Sequence, residues 1–344
     1  MSRRPTLTET PGRNGRIGLA STAVAGRTMS GRRALGLMLL ALAVLFAAAN
    51  AYAFSQQWRQ RERLVADGLR RPHGAVWMPD EALVVAEAGE VGRPDSGRLT
   101  HAAAESGRQT ILDGLPSDRS GGPTGIARAA NGDLLIVTGP CAQPGCAALL
   151  GPDAAGDLVV LADLRRRPGA EQRGRPWGLG LGADGAAYVT DAGTGELLRV
   201  DTGVPPVVST VASFGESAVP RGLALGPDGA VYVALFGAGA VVRVAPEGAV
   251  TTVADGLSGP IALGFDPEGR LLALEHAAGR LVRIDRGRVG APEVLARGLD
   301  GPTGMAVVPD GRVYVTVRGE AADGRPGQLL QIRRLGPIGP RRFV

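Results

Sequence analysis

Three acidic side chains occupy the same place in a recurring sequence pattern. Glu87, Asp191 and Glu275 each lie 14 residues after the middle residue of a Pro-x-Gly or Pro-x-Ala triplet. If a repeat gathers them around one ring, three carboxylates form an oxygen-rich site for a hard divalent cation, Ca²⁺ before Mg²⁺ where the site is roomy. The alternative is structural, because a carboxylate at the end of a strand also accepts hydrogen bonds from turn amides.

Histidine is scarce in this chain, which has only three, and His73 is the triplet residue that precedes Glu87 by 14 positions. A histidine beside a carboxylate is a candidate general base with catalytic roles for both side chains. A neutral His73 bonded to loop backbone is the alternative. His276 follows Glu275 directly, so we expect it on the opposite face of the strand, packed at the surface.

The middle position of the other triplets holds side chains that suit ligand binding. Trp177 and Arg221 offer an aromatic face and a guanidinium, and Thr124 and Thr303 offer hydroxyl groups. We expect these four side chains to contact a ligand. The same position holds Ile261 in a fifth triplet, and an apolar residue there argues against a complete metal site.

These positions belong to a repeat built from the triplet, an apolar run, an Asp-Gly-like turn and a second strand rich in Val and Leu. The six triplets begin at Pro72, Pro123, Pro176, Pro220, Pro260 and Pro302. Their spacings of 51, 53, 44, 40 and 42 residues are typical of propeller blades. Each unit divides into four strands, A to D. The sequence therefore predicts an all-β, six-bladed propeller over residues 62–335, with a C-terminal tail over 336–344.

One strand of this pattern is displaced along the chain. A D-like run, Leu64–Leu69, precedes the first A strand, whereas the last unit ends after its C strand at residues 329–332. We therefore expect the N-terminal run to become the outer strand of blade six and to close the ring.

Loop lengths indicate which face of the propeller binds. The B–C loops are long in blades one, two and six, and the D–A loops are long before Pro123 and Pro176, whereas the A–B turns are minimal. Long loops on a rigid scaffold commonly carry binding residues. The D–A and B–C face is thus the expected site for a small molecule or a protein partner.

The two cysteines of the chain, Cys141 and Cys146, are separated by four residues in a loop that contains Gly and Pro. In an oxidising compartment this spacing favours a local disulfide bond. Two free thiols, or half of a metal site, are the alternatives.

The N-terminal segment indicates the compartment. Residues 1–33 are rich in arginine, and residues 34–54 contain no charge. Such a pair is either a membrane anchor or a signal peptide, and both place the globular part outside the cytoplasm. We expect a protein anchored through 34–54 with its N-terminus inside, or one secreted after cleavage near 49–53. Translation from Met1 and from Met29 both fit this pattern.

The basic character of the chain is confined to its tail. The net charge is +5, but residues 1–33 hold seven arginines against one acid and so carry +6, which leaves −1 for the remainder. A near-neutral propeller with 4% aromatic residues has neither the basic surface nor the stacking platforms of nucleic-acid-binding proteins. No nucleic-acid partner is expected.

The repeat motifs resemble those of known propellers. Pro-x-Gly, Pro-Asp-Gly, Tyr-Val-x-Asp and Gly-x-Leu-x-Arg-Val are similar to motifs of NHL-repeat and SMP-30/gluconolactonase propellers. Gly68-Leu69 with Pro72-His73-Gly74, together with Val317-Arg318-Gly319, resembles the ScyD/ScyE propellers. Many functions share this scaffold, so the resemblance implies the fold more strongly than an activity.

Two of these resemblances imply chemistry. In SMP-30-like lactonases, a metal at the channel polarises a lactone carbonyl while a carboxylate activates water; their ligand pattern includes an Asn, which this sequence lacks at the matching positions. Pro-His-Gly with an acid 14 residues later also resembles virginiamycin B-type lyases, seven-bladed proteins in which a His acts as base beside a metal.

Two hypotheses from different classes result. The first is an extracytoplasmic ScyD/ScyE-like propeller whose loop-rich face binds a small molecule or a protein, with no cofactor. The second is a divalent-metal-dependent lactone hydrolase, or a lyase, that uses His73 and Glu87 for catalysis and holds the metal with Glu87, Asp191 and Glu275.

Overall fold

The computed structural model describes residues 40–47, 62–103, 107–119, 121–167, 173–285, 292–320 and 324–332. The chain divides into two compact units, Met1–Ala53 and Phe54–Val344. The described part of the first unit is a short helix, α1, over residues 40–47. No helix within the described ranges is long and apolar enough to cross a membrane. The arginine-rich tail, the expected cleavage patterns and the C-terminal tail lie outside those ranges.

The second unit contains six four-stranded antiparallel sheets, each one blade of a propeller. The A strands are β2 Pro72–Trp77, β6 Pro123–Arg128, β10 Pro176–Leu181, β14 Pro220–Leu225, β18 Pro260–Phe265 and β22 Pro302–Val307. The B strands are β3 Leu83–Glu87, β7 Leu134–Thr138, β11 Ala187–Asp191, β15 Val231–Leu235, β19 Leu271–Glu275 and β23 Val313–Val317. The C strands are β4 Gly97–Ala103, β8 Ala148–Pro152, β12 Glu196–Asp201, β16 Ala240–Val244, β20 Arg280–Ile284 and β24 Gly327–Ile332. The D strands of blades one to five are β5 Gly107–Leu115, β9 Leu158–Asp163, β13 Val207–Ser213, β17 Val250–Ala254 and β21 Glu293–Arg297. This confirms the predicted six-bladed, all-β propeller.

The outer strand of blade six comes from the other end of the domain. β1 Glu62–Leu69 pairs antiparallel with β24, with Glu62 opposite Ile332 and Leu69 opposite Gly327. The sheet order is β1-β24-β23-β22, so the predicted ring closure is confirmed. Because this strand covers the exposed edge of β24, blade six has the same four strands as the other five.

The core lies between the blades. The B strands are buried on both faces, since each packs between two neighbouring sheets; every residue of β3, β15, β19 and β23 is buried. One apolar cluster joins Leu272 and Leu274 of blade five to Val313 and Val315 of blade six. Burial of each such side chain stabilises the fold by roughly 1.5 to 3 kcal/mol, so the blades stabilise one another around the ring.

The short A–B turns depend on glycine. Gly229 and Gly311 adopt φ values of 75° and 85°, which L-residues with a side chain rarely adopt. In blade four the turn is fixed by the amide of Gly229, which donates to the carbonyl of Gly226 at 3.0 Å. These minimal turns leave the opposite face, formed by the D–A and B–C loops, to carry the longer segments.

Candidate functional site

The middle residues of the six triplets form a ring around the central channel at the D–A and B–C face. We call this set the channel ring: His73, Thr124, Trp177, Arg221, Ile261 and Thr303. In each blade the triplet proline is paired with the last residue of strand B, and a register shift occurs directly after it. The ring residue therefore lies in an irregular part of strand A, beside the strand end that carries the predicted acids.

The glycine of the triplet makes space for the next blade. A Cβ added to Gly125 would lie 2.7 Å from the carbonyl oxygen of Trp177, and one added to Gly178 would lie 2.5 Å from that of Arg221. Both distances are shorter than any real Cβ contact. The Pro-x-Gly motif thus lets the A strands approach closely, and the packing of the ring accounts for the repeat.

The two ring threonines bond to backbone. Thr303 donates from Oγ1 to the carbonyl of Pro72 in the next blade at 2.7 Å, and it is 2% exposed. Thr124 is 6% exposed and lies 3.4 Å from the carbonyl of Pro176. Both hydroxyls are buried and already link neighbouring blades, so the structure does not support the expectation that they contact a ligand.

The remaining polar ring residues meet in an aromatic and charged group. The guanidinium carbon of Arg221 lies 4.2 Å from the ring centroid of Trp177 and 4.0 Å from that of Phe236, so the cation is held between two aromatic rings. Trp177 also contacts His73 edge to face, with centroids 5.1 Å apart. The structure thus brings together three of the predicted site residues.

Three further side chains complete this group, which we call the mouth cluster: His73, Trp177, Arg221, Phe236, His276 and Glu320. Glu320 accepts a hydrogen bond from Arg221 at 3.0 Å, although 99 residues separate them. His276 lies 3.9 Å from the other Glu320 oxygen and donates through Nδ1 to the carbonyl of Pro302. The expectation that His276 packs at the surface is wrong, because it faces the channel mouth.

Phe236 and His276 share a position that sequence reasoning did not use. Each directly follows the last residue of strand B, in blades four and five. Glu320 lies in the B–C loop of blade six, which the sequence predicts to be long and which extends from β23 to β24. The residue after each B strand could therefore have been added to the candidate list, but the reach of Glu320 across the channel has no local signal.

His73 is a buried imidazole with an incomplete set of partners. It is 3% exposed, and no described residue bonds to its Nδ1. Burial lowers the pKa of His73 to about 4; Glu320 opposes this change, and Arg71 and Arg221 add to it. The imidazole is therefore neutral at physiological pH, and Glu320 is the carboxylate that acts on it, not the predicted partner Glu87.

The three predicted acids are the last residues of β3, β11 and β19 and are fully buried. Glu87 accepts hydrogen bonds from Arg98 at 2.8 Å, from the Arg70 amide and from the Thr100 hydroxyl. Each of its oxygens is therefore occupied. The bonds lie within its own blade and the adjoining D–A loop.

Glu275 and Asp191 have the same kind of surroundings. Glu275 bonds to the Arg280 guanidinium and accepts from the Ser258 amide at 2.6 Å. Asp191 accepts from Arg167 at 2.6 Å and from three backbone amides, those of Arg175, Gly193 and Thr194. The structural alternative from the sequence fits Asp191 directly, because two of these amides lie in its B–C turn.

Strand register decides which arginine each acid meets. Glu87 lies opposite Arg98 and Glu275 lies opposite Arg280, so these pairs are direct cross-strand neighbours. In blade three the residue opposite Asp191 is a second acid, Glu196, and Arg167 reaches from the D–A loop to bond to both. Arg167 is thereby paired with two carboxylates.

These bonds do not fit a shared metal site. Each carboxylate is balanced by an arginine and held in its own blade, which removes the charge and the free oxygens that a divalent cation would need. Across the described ranges, no group of three or more His, Cys, Asp and Glu side chains is arranged to hold a metal ion. Within the described ranges the structure does not gather Glu87, Asp191 and Glu275 into one group, and their role as ligands of Ca²⁺ or another divalent metal stays a prediction.

The loops around the mouth agree with the predicted lengths. Cys141 and Cys146 are disulfide-bonded, with their Cα atoms 5.2 Å apart, in the B–C loop of blade two. The local disulfide favoured by the spacing is thus present. It fixes one of the three long B–C loops beside the channel mouth.

The chain is a six-bladed β-propeller whose fold is similar to solved structures of a gluconolactonase, a regucalcin and a virginiamycin B lyase. A gluconolactonase from Xanthomonas campestris aligns with a TM-score of 0.59 and 17% identity, covering 78% of this chain and 88% of that one. The calcium-binding protein regucalcin from Agrobacterium tumefaciens gives 0.55 and 18%, covering 80% and 97%. Virginiamycin B lyase from Staphylococcus aureus gives 0.55 and 12%, covering 74% and 80%.

Identities at this level show a common fold and leave the activity open. No protein-family model matches the chain. No curated protein matches it either. The function must therefore be argued from the side chains at the channel mouth.

Proposed function

We propose that this protein is an extracytoplasmic binding propeller, of the ScyD/ScyE kind, that holds a small hydroxylated organic anion at the mouth cluster. The observation that carries the proposal is Arg221, a guanidinium stacked between Trp177 and Phe236 and bonded to Glu320, a loop carboxylate whose side chain is 31% exposed. A ligand carboxylate can replace Glu320 on Arg221 without disturbing any strand. The face that carries this cluster is also the face with the long loops.

The chemistry of the cluster supports a polyhydroxy acid such as a sugar acid. Trp177 is partly exposed and offers a flat face for a carbon chain or sugar ring. Arg221 offers charge to a carboxylate, and Glu320 and His276 offer hydrogen bonds to hydroxyl groups. The structural likeness to gluconolactonases, which act on the lactone of such an acid, supports this ligand class.

Binding of sodium D-gluconate to the full chain tests the proposal. We expect gluconate to raise the melting temperature of the wild type, because a ligand that binds only the folded state stabilises it. Arg221→Gln should abolish that rise. Arg297→Gln, which removes an exposed arginine from the outer strand β21, should retain it. An equal rise in all three proteins would overturn the proposal.

The alternative is a lactone hydrolase of the SMP-30/gluconolactonase type, which the structural neighbours favour in a general way. Such a hydrolase needs a metal ion, and the three buried acids that could hold one are each bonded to an arginine instead. We expect D-glucono-1,5-lactone to hydrolyse at its uncatalysed rate in the presence of the protein, with Ca²⁺ or with EDTA. A Ca²⁺-dependent acceleration that Glu87→Gln removes would favour the hydrolase instead.

The proposed location rests on residues 1–54 and on the disulfide. An arginine-rich tail before an uncharged segment favours export of the propeller, and Cys141–Cys146 suits an oxidising compartment. Anchorage through 34–54 and release after cleavage are both consistent with this. Intact-mass measurement of the protein from membrane and soluble fractions distinguishes them; a protein found only inside the cytoplasm contradicts both.

A further inference from the structure

The central channel contains a cavity at the end opposite the mouth cluster. It has a volume of about 470 Å³ and is lined by residues from the A strands of all six blades. The residues belong to the second half of each strand, next to the A–B turns. This volume lies within the range of about 300 to 1,000 Å³ typical of small-molecule sites.

The channel ring separates this cavity from the mouth cluster. Four of the six ring residues, His73, Thr124, Ile261 and Thr303, are between 1% and 6% exposed, so side chains fill the channel at that level. A ligand in the cavity therefore enters from the A–B turn face. It would not meet a ligand held by Arg221.

Most residues that line the cavity have apolar side chains, and polar atoms, largely of the backbone, share its exposed wall. Trp77, at the end of β2, contributes a partly exposed indole, and Leu225, Met305 and Val307 contribute aliphatic and thioether surface. Trp77 is further oriented by Arg312, whose guanidinium carbon lies 5.7 Å from its ring centroid. These side chains suit a flat, apolar molecule.

One charged residue lines this cavity. Arg128, the last residue of β6, is the charged residue among those that line the cavity. No carboxylate within the described ranges bonds to it, whereas Arg312 nearby is paired with Asp310 at 2.6 Å. Its guanidinium is exposed and is therefore available to a ligand anion.

We propose that the turn-face end of the channel is a binding site for an organic monoanion with a flat apolar body, such as an aromatic carboxylate. The apolar body lies against Trp77, Met305 and Leu225, and the anionic group bonds to Arg128. This site is separate from the proposed sugar-acid site in position and in ligand chemistry, since one prefers an apolar anion and the other a hydroxylated one.

Titration of the full chain with naphthalene-2-carboxylate, monitored by quenching of tryptophan fluorescence, tests this site. We expect saturable quenching that Trp77→Phe removes and Trp177→Phe leaves in place, because of the two tryptophans within the described ranges only Trp77 lines the cavity. Naphthalene-2-carboxamide, the neutral analogue, should bind about tenfold more weakly because it lacks the charge-assisted bond to Arg128.

Two matched variants locate the charge. Arg128→Gln should weaken carboxylate binding about tenfold and bring it to the level of the carboxamide. Arg297→Gln makes the same charge change on an exposed outer-strand arginine and should leave both affinities unchanged. Quenching that depends on Trp177 and not on Trp77, equal affinity for acid and amide, or an equal loss in both arginine variants overturns the proposal. None of these outcomes bears on gluconate binding at the mouth cluster, so the two proposals fail separately.

Discussion

The odd-numbered and even-numbered blades differ in the side chain that they bury at the end of strand B. At the last residue of strand B, blades one, three and five bury a carboxylate, whereas blades two, four and six bury Thr138, Leu235 and Val317. In the charged set, each acid bonds to an arginine and to at least one backbone amide. The uncharged set needs packing and, for Thr138, a hydroxyl bonded to Gly145 and Ala148. Because both sets support the same blade, the bonded acids are one way to anchor a strand end.

The largest effect is expected where one arginine serves two acids. Arg167→Met leaves Asp191, which is fully buried, and Glu196 without their common cation, and we expect a loss of about 3 to 5 kcal/mol in the free energy of unfolding. Denaturant unfolding measures it. Arg165→Met is the control, since Arg165 pairs with a partly exposed Asp163 and should cost about 1 kcal/mol or less. Equal losses in the two variants would refute the distinction.

The next effect concerns acid sensitivity at the channel ring, where blade one has His73 and the even blades two and six have threonine. The pKa of His73 is about 4 in the folded protein and about 6.5 when unfolded, so only the unfolded state gains a proton between these values. The contribution of His73 to the free energy of unfolding is therefore complete above pH 6.5, and it falls by about 3 kcal/mol as the pH drops to 4. Unfolding of the wild type and of His73→Thr at pH 7.5 and 4.5 should show a smaller pH effect in the variant. His101→Gln, which alters an imidazole paired with an exposed Asp80, should retain the wild-type behaviour.

A smaller effect is expected when an odd blade is converted to an even one. The pair Glu275 and Arg280 occupies the positions of Leu235 and Ala240 in blade four. Arg280→Ala alone leaves the buried Glu275 carboxylate without its arginine. Glu275→Leu together with Arg280→Ala removes both charges and gives blade five the same pair as blade four. We expect the double variant to be more stable than Arg280→Ala, with a coupling of about 1 to 3 kcal/mol in a double-mutant cycle. Additive losses would mean that the pair does not act as a unit.

The smallest effect should come from an even blade. Thr138→Val keeps the shape of the side chain and removes a hydroxyl that donates to the Gly145 carbonyl at 2.6 Å and accepts from the Ala148 amide at 3.1 Å. A loss of about 1 kcal/mol is expected from calorimetry or denaturant unfolding. A loss as large as that of Arg167→Met would remove the contrast between the two sets of blades.

Most of the fold could be predicted because each blade repeats signals with a local physical cause. The triplet glycine is required because the next A strand approaches closely, and the glycine of the Asp-Gly turn is required because its φ is positive. Both signals therefore recur in the blades. Ring closure was also predictable, since the count of D strands is complete only when Leu64–Leu69 joins blade six.

The site was predictable only where it coincides with the repeat. His73, Trp177 and Arg221 were found because they share the triplet position. Glu320 was not, because its bond to Arg221 joins the B–C loop of blade six to strand β14 across the channel and depends on three-dimensional packing.

The shared metal site expected of the three acids rested on a different signal. Their positions were right, but the alternation of acids around the ring suggested a shared ligand when each had its own arginine. Arg98 and Arg280 could have been recognised from register, because the end of strand B lies opposite the start of strand C. Arg167 could not, since it comes from a loop outside that register.

The closure of blade six sets the order of events as the chain is made. β1 is the first propeller strand to leave the ribosome, and its partner β24 is the last. Glu62 therefore has no pairing partner until the chain has been synthesised as far as Ile332. Five blades can form from contiguous sequence during this interval, and the sixth cannot. A ribosome that stalls anywhere before β24 leaves the arc of blades open at both ends, which makes complete synthesis a condition for a closed ring.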